Sequence, residues 1–431
     1  MLKINYPLLN TRRLIKFIVI ILLFISSAEQ GYAQQQRFPM PEFESGYQQP
    51  EVTTPEPRSA GLEYFDVFVL LAALAFGSWL VIKKRSRRWI LALAIFALLY
   101  FGFYKNGCIC AIGAVQNMAL SMSDPGYAVS YTVIAFFMLP LLFSLAMGRI
   151  FCGSVCPLGA IQDIFVIKPV KVPVWIQKSL GLFPFVYLGL AVLYASTGTD
   201  FIICRYDPFV GIFRMGAEFH LMVLGAAFLL TGMFVARPYC RFVCPYGALL
   251  RVTSLFSKQH LTITPSKCIQ CKLCANSCPF GAIEKPTTEK ALVNMSDNTR
   301  KFLLYAAIIP VLMVVGGLAL STAHTYMAKA NPDVYLAHLL IENPEITQDL
   351  DNLDVQTFLG SGRTMDSLVD DAGQVQAAFK TGGWVLGAFL GLVIGIMIIS
   401  PMIIRRRTDY QPNRGDCYSC GRCLKYCPVQ K

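Results

Sequence analysis

Two cysteine runs with the same spacing, far apart in the chain, set the strongest constraint on its fold. Each reads C-x2-C-x2-C-x3-C-P, which is typical of the bacterial ferredoxin run that binds a 4Fe–4S cluster through soft thiolates. In two-cluster ferredoxins the fourth cysteine of each run binds the other cluster. We therefore predict two cluster sites that exchange their fourth ligands: Cys268, Cys271 and Cys274 with Cys427, and Cys417, Cys420 and Cys423 with Cys278.

The rest of the chain is strongly apolar. Of its 431 residues, 55% are hydrophobic and 15% are charged, and the mean hydropathy is +0.51, as expected for a polytopic membrane protein. We predict spans at residues 62–82, 89–104, 128–147, 180–197, 219–236, 302–320 and 384–404. Two spans, an even number, separate the cysteine runs, so both runs lie on one side of the membrane.

Basic residues predict which side that is. The loop 83–88, which follows the first span, is almost entirely Lys and Arg and therefore favours the cytoplasm. Alternation of the spans then places both cysteine runs in the cytoplasm and the acidic loop 321–383 outside. The net charge of +12 fits cytoplasmic loops, and no basic stripe with interleaved aromatic residues points to nucleic acid. We expect a multi-pass protein of the bacterial inner membrane with its ferredoxin module in the cytoplasm.

The N-terminus has the pattern of an export signal. Basic residues precede the apolar run 17–25, and Gly31-Tyr32-Ala33 offers small residues at a cleavage site. Residues 1–33 are therefore predicted to be a signal peptide or an uncleaved anchor helix. Residues 34–61 are rich in Pro and Gln and are predicted to be an exported linker.

A second set of cysteines lies in a duplicated segment. Residues 149–160 and 237–248 both contain C-x3-C-P-x-G-A after an inward-running span. Proline at the first helical position would put the preceding cysteine at a helix N-terminus, where the dipole lowers a thiol pKa. Three interpretations stay open for these thiols, namely a further iron–sulfur cluster, redox-active or metal-handling thiols, and buried packing residues. The four cysteines are Cys152, Cys156, Cys240 and Cys244.

The predicted fold is a polytopic α-helical membrane protein with an internal two-helix repeat. It carries a small α+β two-cluster ferredoxin-like module built from two separated segments. Beyond the signal and linker, the predicted parts are a transmembrane helical domain at 62–260, ferredoxin segments at 261–300 and 405–431, and a helical hairpin at 301–404.

Three further cysteines are predicted on the outer side. Cys108, Cys110 and Cys204 could bind a cofactor together with His220 or Asp207, or could form one disulfide and leave one thiol. The disulfide or structural interpretation is favoured.

The paired C-x3-C-P-x-G-A segments and the following C-x2-C-x2-C-x3-C-P run resemble the membrane-bound polyferredoxins of the NosR/NapH type. The resemblance covers about residues 128–279, and the last cysteine run adds to it. It implies membrane electron transfer between the quinone pool or a cytoplasmic donor and an exported redox partner. Two departures are the displacement of the second run behind a hairpin of spans and a segment 34–59 too short for a large outer flavin domain.

Residues 361–367 are similar to the segment in which related redox proteins bind FMN covalently. Thr364 occupies the flavin-accepting position, with Arg363 where alanine is expected. The alternative is a glycine turn that opens a helix, with Thr364 or Ser361 as the cap.

An iron–sulfur electron-transfer protein, acting as one component of an oxidoreductase system, is the leading functional hypothesis. A redox-sensing or maturation accessory of an exported metalloenzyme, or a subunit that anchors a larger complex, are the alternatives. The basic residues Lys267, Lys272 and Arg422 flank the clusters and either attract an acidic soluble ferredoxin or flavodoxin or are solvated charges. Donor, acceptor and direction of electron flow are left open by the sequence.

Overall fold

A computed structural model describes residues 59–105, 107, 111–263, 268–287, 295–343, 352–400 and 407–430. The predicted signal segment 1–33, most of the linker 34–61, Cys108, Cys110 and Lys267 lie outside the described residues. The chain divides into two units, residues 1–55 with 345–362 and residues 56–344 with 363–431.

The first part of the larger unit, up to residue 263, is built from helices. They are α1 (Ala60–Trp79), α2 (Arg87–Ala97), α3 (Ala114–Ser123), α4 (Tyr131–Met147), α5 (Pro157–Phe165), α6 (Val174–Leu180), α7 (Phe183–Ser196), α8 (Ile202–Tyr206), α9 (Pro208–Arg214), α10 (Phe219–Gly232), α11 (Pro238–Phe242) and α12 (Pro245–Leu255). Three π-helical segments accompany them, at Leu80–Lys84, Leu98–Tyr104 and Phe151–Val155. Such segments occur often at functional sites, and the third contains Cys152.

The remainder of the larger unit adds two long helices and a small mixed region. Its elements are α13 (Leu273–Ser277), β1 (Ile283–Glu284), α14 (Met295–Thr322), α15 (His324–Ala328), α16 (Pro332–Glu342), α18 (Met365–Ile399), β2 (Gln411–Pro412), α19 (Arg422–Tyr426) and a 3₁₀ turn at Pro428–Gln430. The described part of the smaller unit holds α17 (Leu353–Gly360), which Asn352 caps by accepting from the Asp354 and Val355 amides.

Within the described residues, five helices are long and apolar enough to cross a membrane. They are Gly61–Lys84, Arg87–Tyr104, Val174–Ser196, Tyr305–Thr322 and Met365–Ile399. The pair α9 and α10, bent by 110°, forms a sixth if it counts as one broken span, and the apolar α4 is shorter. Each of the seven predicted spans overlaps one of these helices over its described residues, as expected for a multi-pass membrane protein.

The last long helix starts much earlier than its predicted span. α18 begins at Met365 and runs for 35 residues, about 52 Å, which exceeds the roughly 30 Å hydrocarbon core of a bilayer. The predicted loop 321–383 is therefore largely helical among its described residues, which form α15, α16, α17 and the first half of α18.

Glycines bring α14 and α18 together at very short range. A Cβ added at Gly387 or Gly391 would lie closer than 3.0 Å to the backbone of Gly316 or Leu312 on α14. Small residues allow two helices to approach in this way where lipid removes the usual hydrophobic drive. Apart from this contact α14 has little protein around it, since only 6% of the whole window Tyr305–Thr322 is buried.

The two separated cysteine runs belong to one local structure. β1 pairs antiparallel with β2, so that Ile283 lies opposite Pro412 and Glu284 opposite Gln411. The Asn413 amide donates to the Ala282 carbonyl at 2.7 Å. The pairing joins residues near 283 to residues near 412 and brings α13 against α19.

Candidate functional site

Both C-x2-C-x2-C runs follow the same backbone path. Gln270 and Lys272 have φ values of 53° and 64°, and the equivalent residues Ser419 and Gly421 have values of 52° and 71°. Left-handed residues reverse the chain sharply, and three of these four are not glycine. Strained backbone of this kind is typical of a loop that holds a ligand.

Two pockets are each lined by four cysteines. The distal site is formed by Cys268, Cys271, Cys274 and Cys427, and the proximal site by Cys278, Cys417, Cys420 and Cys423. Each site thus takes three cysteines from one run and the fourth from the other. The structure brings together the two groups of four that the spacing predicts.

A third pocket lies between the two copies of the repeat. The repeat site is lined by Cys152, Cys156, Cys240 and Cys244 together with Arg149, Phe151 and Tyr246. All four thiols are buried. The predicted helix starts are confirmed, because Pro157 and Pro245 occupy the first turn of α5 and α12 and the cysteines before them are the N-caps.

Three hydrogen bonds among the described residues reach sulfur atoms of the repeat site, one of them from Arg149 Nη2 to Cys152 Sγ at 3.9 Å. The Gly247 amide donates to Cys244 Sγ at 3.3 Å, and Gln162 Nε2 donates to Cys240 Sγ at 3.2 Å. Gln162 is fully buried, and its Oε1 accepts from the Tyr239 amide. Donors to sulfur stabilise the thiolate and tune the potential of a bound cluster.

The expectation that a helix N-terminus lowers the thiol pKa is wrong for Cys244. Burial raises its pKa well above the usual value, and burial raises the pKa of Cys240 to about 12. In the proximal site burial likewise raises the pKa of Cys417 to about 12. Desolvation of the charged form outweighs the dipole, so these sulfurs become thiolates only when a cation such as iron takes the place of the proton.

Among the described residues, no group of three or more His, Cys, Asp or Glu side chains is close enough to hold a single metal ion. A four-iron cube keeps its ligands farther apart than one tetrahedral ion does, because each thiolate binds a different corner. Four thiolates, one for each iron of the cube, are the ligand set that a 4Fe–4S cluster takes.

Two arginines cross between the copies of the repeat. Arg149 Nη1 donates to the Gly415 carbonyl at 3.0 Å, and its Nη2 donates to the Gly247 carbonyl at 3.3 Å. Arg237, the equivalent residue of the second copy, donates to the Cys152 carbonyl of the first copy. Each arginine precedes the first cysteine of its copy by three residues, which was the signal in the sequence that could have identified them.

A buried carboxylate ties three parts of the chain together. Asp163 on α5 accepts from Arg237 of the second copy, from Arg87 at the start of α2 and from Arg422 of the last cysteine run. Burial alone would raise the pKa of the Asp163 carboxyl, but the three guanidinium groups outweigh it and hold that pKa well below its usual range. Arg87 Nη1 also donates to the Cys420 carbonyl at 2.6 Å.

This network corrects the interpretation of Arg422 as a solvated charge, because the half-buried side chain pairs with a buried carboxylate. The guanidinium lies 3.4 Å from buried Asp163. Lys272, in contrast, is exposed beside Cys271 of the distal site. The sequence missed the network because its members lie far apart in the chain.

The outer candidates do not gather into a site in the described residues. Cys204 is exposed, and His220 pairs with Glu218 at 3.3 Å. Asp207 is buried and caps α9, accepting from two backbone amides and from the Tyr239 hydroxyl at 2.7 Å. The predicted disulfide depends on cysteines outside the described residues and stays a prediction.

The predicted flavin anchor is a helix cap. Thr364 is exposed and precedes α18, and its hydroxyl accepts from the Ser367 amide at 3.3 Å. The neighbouring Arg363 pairs with Asp333 and Asp371. This geometry is that of the capping alternative.

Comparison with known proteins agrees with a cluster-binding role. A family model described as 4Fe-4S binding domain matches residues 129–182 and 219–264, and a second model of that description matches residues 261–284. The first match contains both copies of the repeat, and the second contains Cys268, Cys271, Cys274 and Cys278.

Curated relatives match over part of their length. The uncharacterized protein MJ0750 of Methanocaldococcus jannaschii is 26% identical over 193 residues, which cover 42% of this chain and 77% of that protein. The putative electron transport protein YccM of Escherichia coli is 26% identical over 156 residues, covering 32% and 43%. The regulatory protein NosR of Pseudomonas aeruginosa is 26% identical over 238 residues, covering 50% of this chain and 32% of NosR. No solved structure matches the chain.

Proposed function

We propose that this chain, which is related to the NosR/NapH-type ferredoxin-like proteins, is a membrane-bound iron–sulfur electron-transfer protein. The observation that carries the proposal is the gathering of twelve cysteines into three sets of four, each around its own cavity. Two sets lie in the paired cysteine runs, and the third lies in the helical repeat.

The residues at the three sites suit 4Fe–4S clusters, both as ligands and as a buried environment with hydrogen bonds to sulfur. A bound cluster supplies a centre that accepts and releases one electron at a time. The protein supplies four thiolates to each, and most of these are buried. Gln162 and the Gly247 amide add hydrogen bonds to sulfur in the repeat site.

Buried positive charge around the proximal and repeat sites also supports the proposal. Arg149 and Arg237 are almost completely buried, and Arg241 is partly buried, whereas the buried carboxylate of Asp163 pairs with Arg237 and Arg87 but with neither of the other two. Uncompensated buried guanidinium groups are costly. A 4Fe–4S cluster held by four thiolates carries a net negative charge. Clusters in the proximal and repeat sites would therefore balance the excess positive charge of the buried guanidinium groups.

We place the paired cysteine runs in the cytoplasm, since the loop after α1 carries Lys83, Lys84 and Arg85. The distal site is the one that a soluble carrier could reach. Cys271 is exposed there, and Ile269 has 63% of its surface exposed. An apolar rim with Lys272 beside it suits an acidic ferredoxin or flavodoxin.

A quinone is a second candidate for donor or acceptor, at the membrane end of the path. An apolar pocket lined by Phe101, Phe136 and Phe213 reaches Cys156 of the repeat site. Apolar pockets lined by aromatic side chains suit the ring of a small cofactor such as a quinone.

The test is redox titration of purified membranes, followed by electron paramagnetic resonance (EPR). We expect reversible low-potential signals that a reduced soluble ferredoxin or a quinol can generate. Cys152→Ala should leave the signals of the distal and proximal sites intact and abolish electron transfer from the cytoplasmic side into the membrane. Unchanged transfer in that variant would make the repeat site a structural element only.

A redox-sensing or maturation accessory is the second candidate, favoured by the name of the NosR relative, a regulatory protein. Buried thiols at the repeat site could supply electrons or metal during assembly of an exported metalloenzyme. The same titration separates the two functions, because a sensor would lose iron on oxidation whereas an electron carrier would recover its signals on re-reduction.

Covalent FMN at Thr364 stays a separate prediction. Flavin fluorescence that remains with the denatured protein, and that disappears in Thr364→Val, would support it. Its absence from the wild-type protein would leave Thr364 with its role as the cap of α18.

A further inference from the structure

The last cysteine run lies directly on the helical repeat. A Cβ added at Gly153, between the two cysteines of the first copy, would press against the Tyr418 carbonyl oxygen and within 3.1 Å of Ser419. Real Cβ atoms essentially never come closer than 3.0 Å to a neighbour, so only glycine permits this approach. Ser419 is 2% exposed and sits in the loop between Cys417 and Cys420.

The Tyr418 side chain continues the contact into the second copy of the repeat. Its hydroxyl donates to the Cys240 carbonyl at 3.1 Å, and the residue is 5% exposed. The ring packs on Phe280 with centroids 4.7 Å apart, and the Arg149 guanidinium lies 4.1 Å above it. One residue therefore joins a loop of the proximal site to both halves of the repeat site.

We propose that this junction, formed by Gly153, Tyr418 and the Cys240 carbonyl, is the path by which single electrons pass between the proximal and repeat sites. The inference rests on the proposed function. The site that gives the electron is oxidised by one electron, and the site that takes it is reduced by one. No covalent bond forms or breaks, and the Tyr418 hydroxyl keeps its proton throughout.

The competing explanation is that Tyr418 only docks the last run onto the membrane part. Other residues also attach the last cysteine run to the helical part. Arg149 donates to the Gly415 carbonyl, and Arg87 donates to the Cys420 carbonyl. Loss of Tyr418 should therefore leave the two parts attached. A transfer rate, measured with iron content held constant, separates an electron path from a docking contact.

Three variants perturb the junction, and two perturb matched residues elsewhere. Tyr418→Leu removes the ring, Tyr418→Phe removes only its hydroxyl, and Gly153→Ala forces the two backbones apart. Gly373→Ala is the glycine control, since a Cβ there meets nothing within 4 Å. Tyr194→Phe is the tyrosine control, since that hydroxyl likewise donates to a backbone carbonyl, that of Met327, at 3.4 Å.

The full-length protein in detergent is mixed anaerobically with dithionite and frozen at intervals for EPR. We expect Gly153→Ala and Tyr418→Leu to keep the iron content and all signals, and to delay reduction of the repeat site several-fold, because the rate of electron transfer falls as the two centres move apart. The rate at which the repeat site is reduced should be intermediate in Tyr418→Phe, between these two variants and the wild type. Both controls should have the wild-type rate. Equal rates in all variants would overturn the inference.

A wild-type measurement keeps the inference testable if the variants lose iron. When both sites are reduced, their EPR signals should be broadened or split by mutual magnetic interaction, since the junction puts their ligand loops in contact. Two independent, unsplit signals would contradict the inference while leaving the proposed function in place. Absence of any repeat-site signal would contradict the proposed function instead, and the inference with it.

Discussion

The distal and proximal sites are built from the same motif, yet they lie in opposite surroundings. In the distal site Cys271 is exposed, and Ile269 and Lys272 stand beside it in solvent. In the proximal site three of four cysteines are buried. Beside them, Arg422 pairs with Asp163 and Tyr418 donates to the Cys240 carbonyl, so both contact the helical repeat. The motif determines how four thiols gather, whereas the neighbouring chain determines what each site can reach. Under the proposed function, the distal site would exchange electrons with soluble carriers and the proximal site with the membrane part.

The largest effect should come from removing the fourth ligand of each site, which the opposite cysteine run supplies. Cys427→Ala should remove about four irons per chain and the signal of the distal site, although Cys427 belongs to the run that supplies most of the proximal site. Cys278→Ala should remove the proximal signal instead. Iron analysis with EPR measures both, and Cys204→Ala serves as the control. If each variant damaged the site of its own run, the two sites would not share ligands.

The next effect concerns what holds the proximal site in place. Asp163→Asn leaves three guanidinium groups without their shared carboxylate, and breaking a buried ion pair costs about 3–5 kcal/mol. Thermal unfolding should therefore shift strongly downward, with the proximal signal lost before the distal one.

Asp371→Asn is the matched control for this prediction. It breaks an exposed pair with Arg363, and such pairs are worth about 0–1 kcal/mol. Similar shifts in the two variants would show that the Asp163 network contributes no more than a surface pair.

The smallest effect concerns access to the distal site. Lys272→Glu should slow reduction by an acidic soluble carrier about threefold at low ionic strength, and the difference should vanish as salt screens the charge. Lys329→Glu changes the same charge at an exposed residue after α15 and should leave the rate unaltered. Stopped-flow reduction by a reduced ferredoxin measures both, and equal slowing would rule out a specific docking surface.

Much of the architecture follows from local patterns. Long apolar runs mark the spans, and the C-x2-C-x2-C-x3-C-P spacing marks two sets of thiols, because both depend on residues close together in the chain. The first turns of α5 and α12 were predictable for the same reason, since proline fixes the helix start.

The missed features depend on contacts between distant residues. Asp163 meets Arg87, Arg237 and Arg422 only after the spans and the last run have packed together. The pKa of Cys244 was predicted in the wrong direction, because burial by other segments outweighs the local helix dipole. The early start of α18 at Met365 was missed because its first half is polar enough to read as a loop.

The central claim, that three sets of four cysteines hold three clusters, is tested most directly by iron and acid-labile sulfide per chain. The account predicts about twelve of each in the anaerobically purified wild-type protein, falling to about eight in Cys152→Ala. About eight in both proteins would contradict it, since the repeat site would then hold no cluster.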